Sequence, residues 1–94
     1  MMQHAYIDES FELVFEFSDP KNPDRKVDEA SYRILAQDGA IVQAGTMSID
    51  EDGKTGRFRF NATTVGINTI EVSWSMGLDR YKAPHLISVE EIRV

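Results

Sequence analysis

Phe11, Leu13, Phe15 and Phe17 alternate with Glu12, Val14, Glu16 and Ser18. Alternate side chains of a strand point to opposite faces. The spacing therefore predicts a strand with three Phe and one Leu on a buried face and two Glu on the wet one. A helix would scatter the same four residues around its axis. The signature recurs at Ala30, Tyr32, Ile34 and Ala36, at Phe58, Phe60 and Ala62, and at Ile70, Val72, Trp74 and Met76. Aromatic and β-branched residues fill these positions, as half-buried strands prefer. Two further strands are less regular. Residues 41–49 lose their alternation at Ala44-Gly45, where a bulge or an edge strand is expected. Residues 86–94 change face near Ser88-Val89, where a second bulge is expected.

Turn chemistry separates the runs. Asp19-Pro20-Lys21-Asn22-Pro23-Asp24 is a loop, because two prolines cannot donate to a ladder. Gln37-Asp38-Gly39-Ala40 is a tight hairpin signal, and Asp-Gly suggests a primed turn. Residues 50–56 form a longer polar turn, and Thr63-Thr64-Val65-Gly66 closes the fourth strand. Residues 24–35 are the one place where a helical turn competes, and their apolar positions fit a strand better. Six or seven short strands at a spacing of roughly 8–12 residues point to an antiparallel sandwich. The expected fold is all-β, an immunoglobulin-like or fibronectin-III-like sandwich of about seven strands. Its expected core is Phe11, Leu13, Phe15, Phe17, Tyr32, Ile34, Phe58, Phe60, Ile70, Val72 and Trp74, with Trp74 at the centre.

Length and charge narrow the function. Ninety-four residues suit one domain spanning 1–94, with residues 1–9 as a flexible lead-in. No cysteine is present, so there is neither a disulfide framework nor a thiolate metal site. The 16 acids and 10 bases give a net charge of −6. That balance argues against a nucleic-acid binder, which needs a basic footprint. Nine acids and four bases fall in residues 1–47 against seven and six beyond, so the excess is −5 against −1. No apolar run approaches the ~20 residues of a membrane span, and the first residues lack the pattern of a signal peptide. Neither a membrane nor nucleic acid is expected as a partner.

Candidate chemistry is sparse. His4 and His85 are the two imidazoles, and neither stands in a nucleophile elbow, a paired-His motif or a phosphate loop. No enzymatic activity and no cofactor are expected. Asp50-Glu51-Asp52-Gly53 begins like a calcium loop, but the twelfth position is Asn61, a neutral residue inside a strand. Asp19, Asp24, Asp28 and Glu29 could meet in a different calcium site. The plainer reading is that these acids make turns and solvate the surface, and no metal ligand is assigned. Arg57 and Arg59 share a wet face, with Arg33 a candidate neighbour, and pairing with Glu12, Glu16 or Glu71 accounts for them best. The segment from Gly77 to His85 mixes apolar, charged and aromatic residues. It is the candidate contact loop, through Leu78, Arg80, Tyr81, Lys82 and His85.

One set of segments has a family likeness. Phe15-x-Phe17-x-Asp19-Pro20, Val27-Asp28, a strand ending in Asp38-Gly39, Thr55-Gly56-Arg57-Phe58, Val65-Gly66-Ile67-Asn68 and Val72-Ser73-Trp74 follow in order. Together they resemble the small immunoglobulin-like domains of tailed-phage and prophage structural modules, over most of residues 11–94. Two prolines with Lys and Arg in the first loop, and no proline before the Asp-Gly turn, depart from that pattern. The family pattern carries no catalytic or ligand residue. The resemblance implies a structural or assembly role in a virion, in a head, tail or joining region. It further implies protein–protein contacts with other virion or assembly proteins, self-association among them, and a place in the host cytoplasm and then the virion. The alternative is a carbohydrate- or receptor-binding immunoglobulin-like module.

Overall fold

The structure is a computed structural model that describes residues 2–92. Eight strands follow in chain order: β1 (Gln3–Tyr6), β2 (Ser10–Glu16), β3 (Glu29–Leu35), β4 (Ile41–Thr46), β5 (Ser48–Ile49), β6 (Thr55–Asn61), β7 (Gly66–Met76) and β8 (Asp79–Glu90). No helix occurs among the described residues. A five-stranded sheet in the order β1-β8-β7-β3-β4 faces a three-stranded sheet in the order β2-β6-β5. The chain is thus an immunoglobulin-like sandwich, with eight strands where about seven were expected.

Two strands go beyond the six runs of the alternation: β5, because residues 41–49 divide between the two sheets, and β1, in the stretch expected to be a flexible lead-in. It runs parallel to β8, with Ala5 opposite Val89, so the sandwich is not wholly antiparallel. Ala5 is buried, and that small contact anchors the strand. The chain then crosses to the other sheet through Ile7–Glu9, where Asp8 takes a positive φ of 73°. The Asp8 N–H donates to the Ala62 carbonyl and the Ala62 N–H to the Glu9 carbonyl, which fastens the crossing to the end of β6.

The expected core is assembled. Leu13, Phe17, Ile34, Phe58, Phe60, Ile70 and Val72 are buried, and Phe11, Phe15, Tyr32 and Trp74 pack against them part-buried. Tyr32 stacks on Phe58 across the two sheets at 3.8 Å between ring centres, and Phe15 lies parallel to Phe58 at 6.0 Å. Trp74, however, is not the centre. It sits toward the hairpin end of β7, against Phe17 at 4.9 Å. The largest fully enclosed side chains are instead Phe60, Ile34, Ile70, Met76, Ile87, Val89 and Asn68.

Three local expectations are corrected. At the β3–β4 hairpin only Gly39 has a positive φ, 91°, while Asp38 does not, so the turn is not of the primed type I′. The Gly39 N–H donates to the Ala36 carbonyl and the Ala36 N–H to the Ala40 carbonyl, a three-residue loop with glycine in its left-handed position. The second correction concerns the last strand, expected to bulge at Ser88-Val89. β8 keeps one register against β7 from Asp79 opposite Met76 to Val89 opposite Gly66. Its inward set begins with Tyr81, Ala83 and His85, too mixed in polarity to show its alternation in the sequence. Arg93 and Val94, the end of that expected strand, lie outside the described residues. The irregularity foreseen at Ala44-Gly45 instead falls earlier, where Leu35 pairs with Ile41 and the register shifts by one residue. β4 is an edge strand, as expected for that run.

Candidate functional site

The segment singled out as a contact loop is not a loop. Its turn is only Gly77-Leu78, with Met76 opposite Asp79, and residues from Asp79 onward belong to β8. Gly77 has a φ of 62°, which fits a two-residue hairpin with glycine at its first central position. The reason is pairing: mixed polarity reads as loop when a strand has one half-buried face and one charged face. The period of two then splits the five candidate residues. Tyr81 and His85 share the inward face with Trp74 and Val72, Arg80 and Lys82 take the outward face beside Ser75 and Ser73, and Leu78 stands fully exposed at the tip.

Three of the five, Arg80, Tyr81 and Lys82, are brought together with residues the sequence did not connect to them. They line a cleft of about 660 Å³ with Trp74, Ser31, Ser73 and Ser75, and with Thr46, Met47 and Ile49 where β4 gives way to β5. Tyr81 is 40% exposed and stacks on Trp74 at 5.7 Å and 24°. The cross-strand rows Lys82–Ser73–Ser31–Thr46 and Arg80–Ser75–Glu29 explain the polar lining. His85 is elsewhere: its ring meets Phe15 edge-on at 5.5 Å and its Nε2 lies 3.0 Å from Gln3 Oε1. With Phe15, Phe17 and Trp74 it lines a smaller groove of about 190 Å³ beside β2.

Arg25 holds the hairpin in place. Its guanidinium reaches Asp79 at 2.9 Å and Asp19 at 3.2 Å, and donates to the Met76 carbonyl. The Gly77 N–H donates to Asp28 Oδ2 at 2.7 Å. Asp19 is held below its ordinary pKa of 3.8, first by the Lys21 N–H and then by Arg25. Arg25 is pushed upward, chiefly by Asp79 and then Asp19. The proline-rich loop and the hairpin tip thus form one charged clamp.

Several other acids are committed to turns and pairs. Asp52 accepts from the Lys54 and Thr55 N–H groups and the Thr55 hydroxyl, which lowers its pKa below 3.8. Asp50 and Glu12 both pair with Arg57, at 2.9 and 3.0 Å. Among the described residues, no three Asp, Glu or His side chains gather closely enough to hold a metal ion. Arg33 pairs with Glu71 on the outer face of the five-stranded sheet, whereas Arg57 and Arg59 belong to the other sheet. The three arginines therefore form no common stripe.

The outer face of the five-stranded sheet carries a feature that the linear pattern hid. Leu86 on β8, Thr69 on β7, Leu35 on β3 and Ile41 on β4 follow one another across the sheet in direct register. Ile67 lies beside this row, two residues before Thr69 on β7. Ile41 is 58% exposed, Leu86 40% and Ile67 38%. In the sequence they stand far apart. Only strand pairing makes them an apolar band.

No protein-family model matches the chain, and neither does any curated protein sequence. Solved structures do share its fold. CopC from Methylosinus trichosporium OB3b superposes with a TM-score of 0.67 at 14% identity, over 99% of this chain and 87% of that one. A fibronectin(III)-like module of Clostridium thermocellum CbhA superposes with a TM-score of 0.60 at 15% identity, over 99% and 93% respectively. At such identities the likeness is one of fold, and it places the chain among immunoglobulin-like and fibronectin-III-like sandwiches.

Proposed function

We propose that this chain is a non-enzymatic interaction domain that works through protein–protein contacts, in a structural or assembly role. The apolar band on the outer face of the five-stranded sheet carries the reading. Four adjacent strands contribute to it, and folding leaves Ile41, Leu86 and Ile67 in water. Contiguous exposed apolar surface of this kind marks contact sites, whereas scattered single residues do not. The setting, a component of a phage or prophage virion, rests on the sequence resemblance described above.

Mass spectrometry of purified particles from the phage or prophage that encodes the chain tests this reading. Stoichiometric copies are expected, with incorporation lost in a Leu86→Asp variant that still folds. Absence from intact particles would refute the virion setting.

A second reading, a carbohydrate- or receptor-binding module, is favoured by one observation. The stacked Trp74 and Tyr81 border a cleft that also holds three serines and two cations. A stacked, part-exposed pair of rings suits a sugar or a partner's side chain. Glycan-array binding that disappears in Tyr81→Ala would support this reading over assembly.

A further inference from the structure

Sheet edges carry unpaired N–H and C=O groups, so proteins protect them with charge, proline or brevity. The outer strands of this sandwich are β1, β4, β2 and β5; where the short β1 and β5 stop, the edge passes to residues 79–86 of β8, which carry Arg80, Lys82 and Pro84, and to residues 58–61 of β6, which carry Arg59. β1 has four residues and β5 has two. β2 is longer and carries Glu12 and Glu16. β4 has neither defence: its six residues, Ile-Val-Gln-Ala-Gly-Thr, include no charge and no proline. One bulge interrupts its start, between Ile41 and Gln43, and from Gln43 to Thr46 the ladder with β3 is regular. All its residues but Gln43 are exposed. Gln43 turns its amide to the Tyr32 hydroxyl and the Arg59 carbonyl, which ties the strand to both sheets.

We propose that β4 is a self-association edge, at which a second copy of this chain adds its own β4 antiparallel across a two-fold axis. The five-stranded sheet then continues into the copy. This inference rests on the interaction-domain reading and names the partner at one of its surfaces. Charge decides the occupant. A chain of net charge −6 repels its copies, and that repulsion is least where no ionisable side chain is opposed. Antiparallel pairing of β4 with itself opposes only uncharged residues, in any register. The same two-fold pairing of β2 about Val14 would set Glu12 against Glu16. At its start β4 also supplies Ile41 to the apolar band, with Val42 beside it 37% exposed, so the two surfaces are continuous.

Sedimentation velocity across a concentration series tests the proposal. The chain is expected to dimerise, and Val42→Lys and Thr46→Lys are each expected to weaken the dimer by at least about tenfold, because each puts one charge per copy into a seam that is otherwise uncharged. Both positions are exposed, and unchanged thermal melts would show that each variant folds. Hydrogen exchange gives a second readout: β4 amides facing away from β3 should gain protection as concentration rises, while those of β2 should not. A chain that stays monomeric to roughly millimolar concentration would overturn the proposal. So would a dimer indifferent to both lysines. The outcomes separate from those of the interaction reading, since a strictly monomeric chain found in particles removes only the β4 edge, and a dimer absent from particles removes only the virion setting.

Discussion

Phe60→Ala probes where the core is centred. Phe60 is 0% exposed, with its ring 5.4 Å from that of Phe11. An aromatic side chain buries about 150–250 Å², and at about 25 cal/mol/Å² that is worth about 4–6 kcal/mol in full. Alanine keeps part of that burial while the residual cavity adds a cost, so the expected loss is about 3–5 kcal/mol. A chain of this length has a total stability of roughly 5–14 kcal/mol. The variant should therefore be close to unfolding at room temperature. Trp74→Ala is the instructive comparison. Trp74 is only part-buried and borders both clefts, so its ring leaves less apolar surface to lose. Its expected cost is about 1.5–3 kcal/mol. Urea unfolding followed by far-ultraviolet circular dichroism measures both variants without using the tryptophan as the probe. At a slope near 2 kcal/mol/M, Phe60→Ala should lower the midpoint by about 1.5–2.5 M and Trp74→Ala by roughly half as much. An equal or reversed order would refute the placement of the core centre at Phe60 and Ile34 rather than Trp74.

Gly77→Ala should cost about 1–3 kcal/mol, because its φ of 62° in a two-residue turn strains any residue with a Cβ; a thermal melt within error of wild type would contradict this turn assignment. Asn68 is buried and donates to the Thr64 and Gly66 carbonyls at 3.0 and 3.1 Å, so Asn68→Ala should cost about 1–3 kcal/mol in the same urea assay. The carboxyls of Asp19 and Asp52 are both depressed below 3.8, so they release protons more readily folded than unfolded. Their contribution is present above the unfolded pKa and is lost as pH falls through the lower folded values. Stability measured from pH 7 downward should hold to about pH 4 and then fall, and the double variant Asp19→Asn, Asp52→Asn should flatten that fall. Tyr81→Ala should leave the fold standing while removing the stacked partner of Trp74, seen as a shift in tryptophan fluorescence without loss of the β-sheet dichroism.

The buried faces of β2, β3, β6 and β7 were legible because each is a period of two written in large apolar residues, as in Phe11, Leu13, Phe15 and Phe17. β1 was not. Gln3-His4-Ala5-Tyr6 has a single small buried residue, and its strand exists only because β8 offers a free edge beside it. β8 was half legible for a related reason. Its inward positions Tyr81, Ala83 and His85 vary in size and polarity, so the sequence resembled a contact loop until eleven residues of β7 fixed its register. Of the candidate residues, Arg80, Tyr81 and Lys82 do share a cleft, but Leu78 is the turn tip and His85 is part of the packing on Phe15.

By itself, then, the chain's alternation determined an all-β sandwich, most of its core and the positions of its turns. Its charges determined an acidic protein, and of the pairings expected for its arginines Arg33 with Glu71 and Arg57 with Glu12 are formed while Arg59 reaches Ser10 instead. Strand order and register belong to the tertiary structure alone, since they arise from which edges meet, and alternation within one strand says nothing about its neighbour. That is why the apolar band through Leu86, Leu35 and Ile41, the Trp74–Tyr81 cleft and the uncharged β4 edge emerge only after folding. Each is built from residues far apart in sequence or, for β4, from the absence of a neighbouring strand.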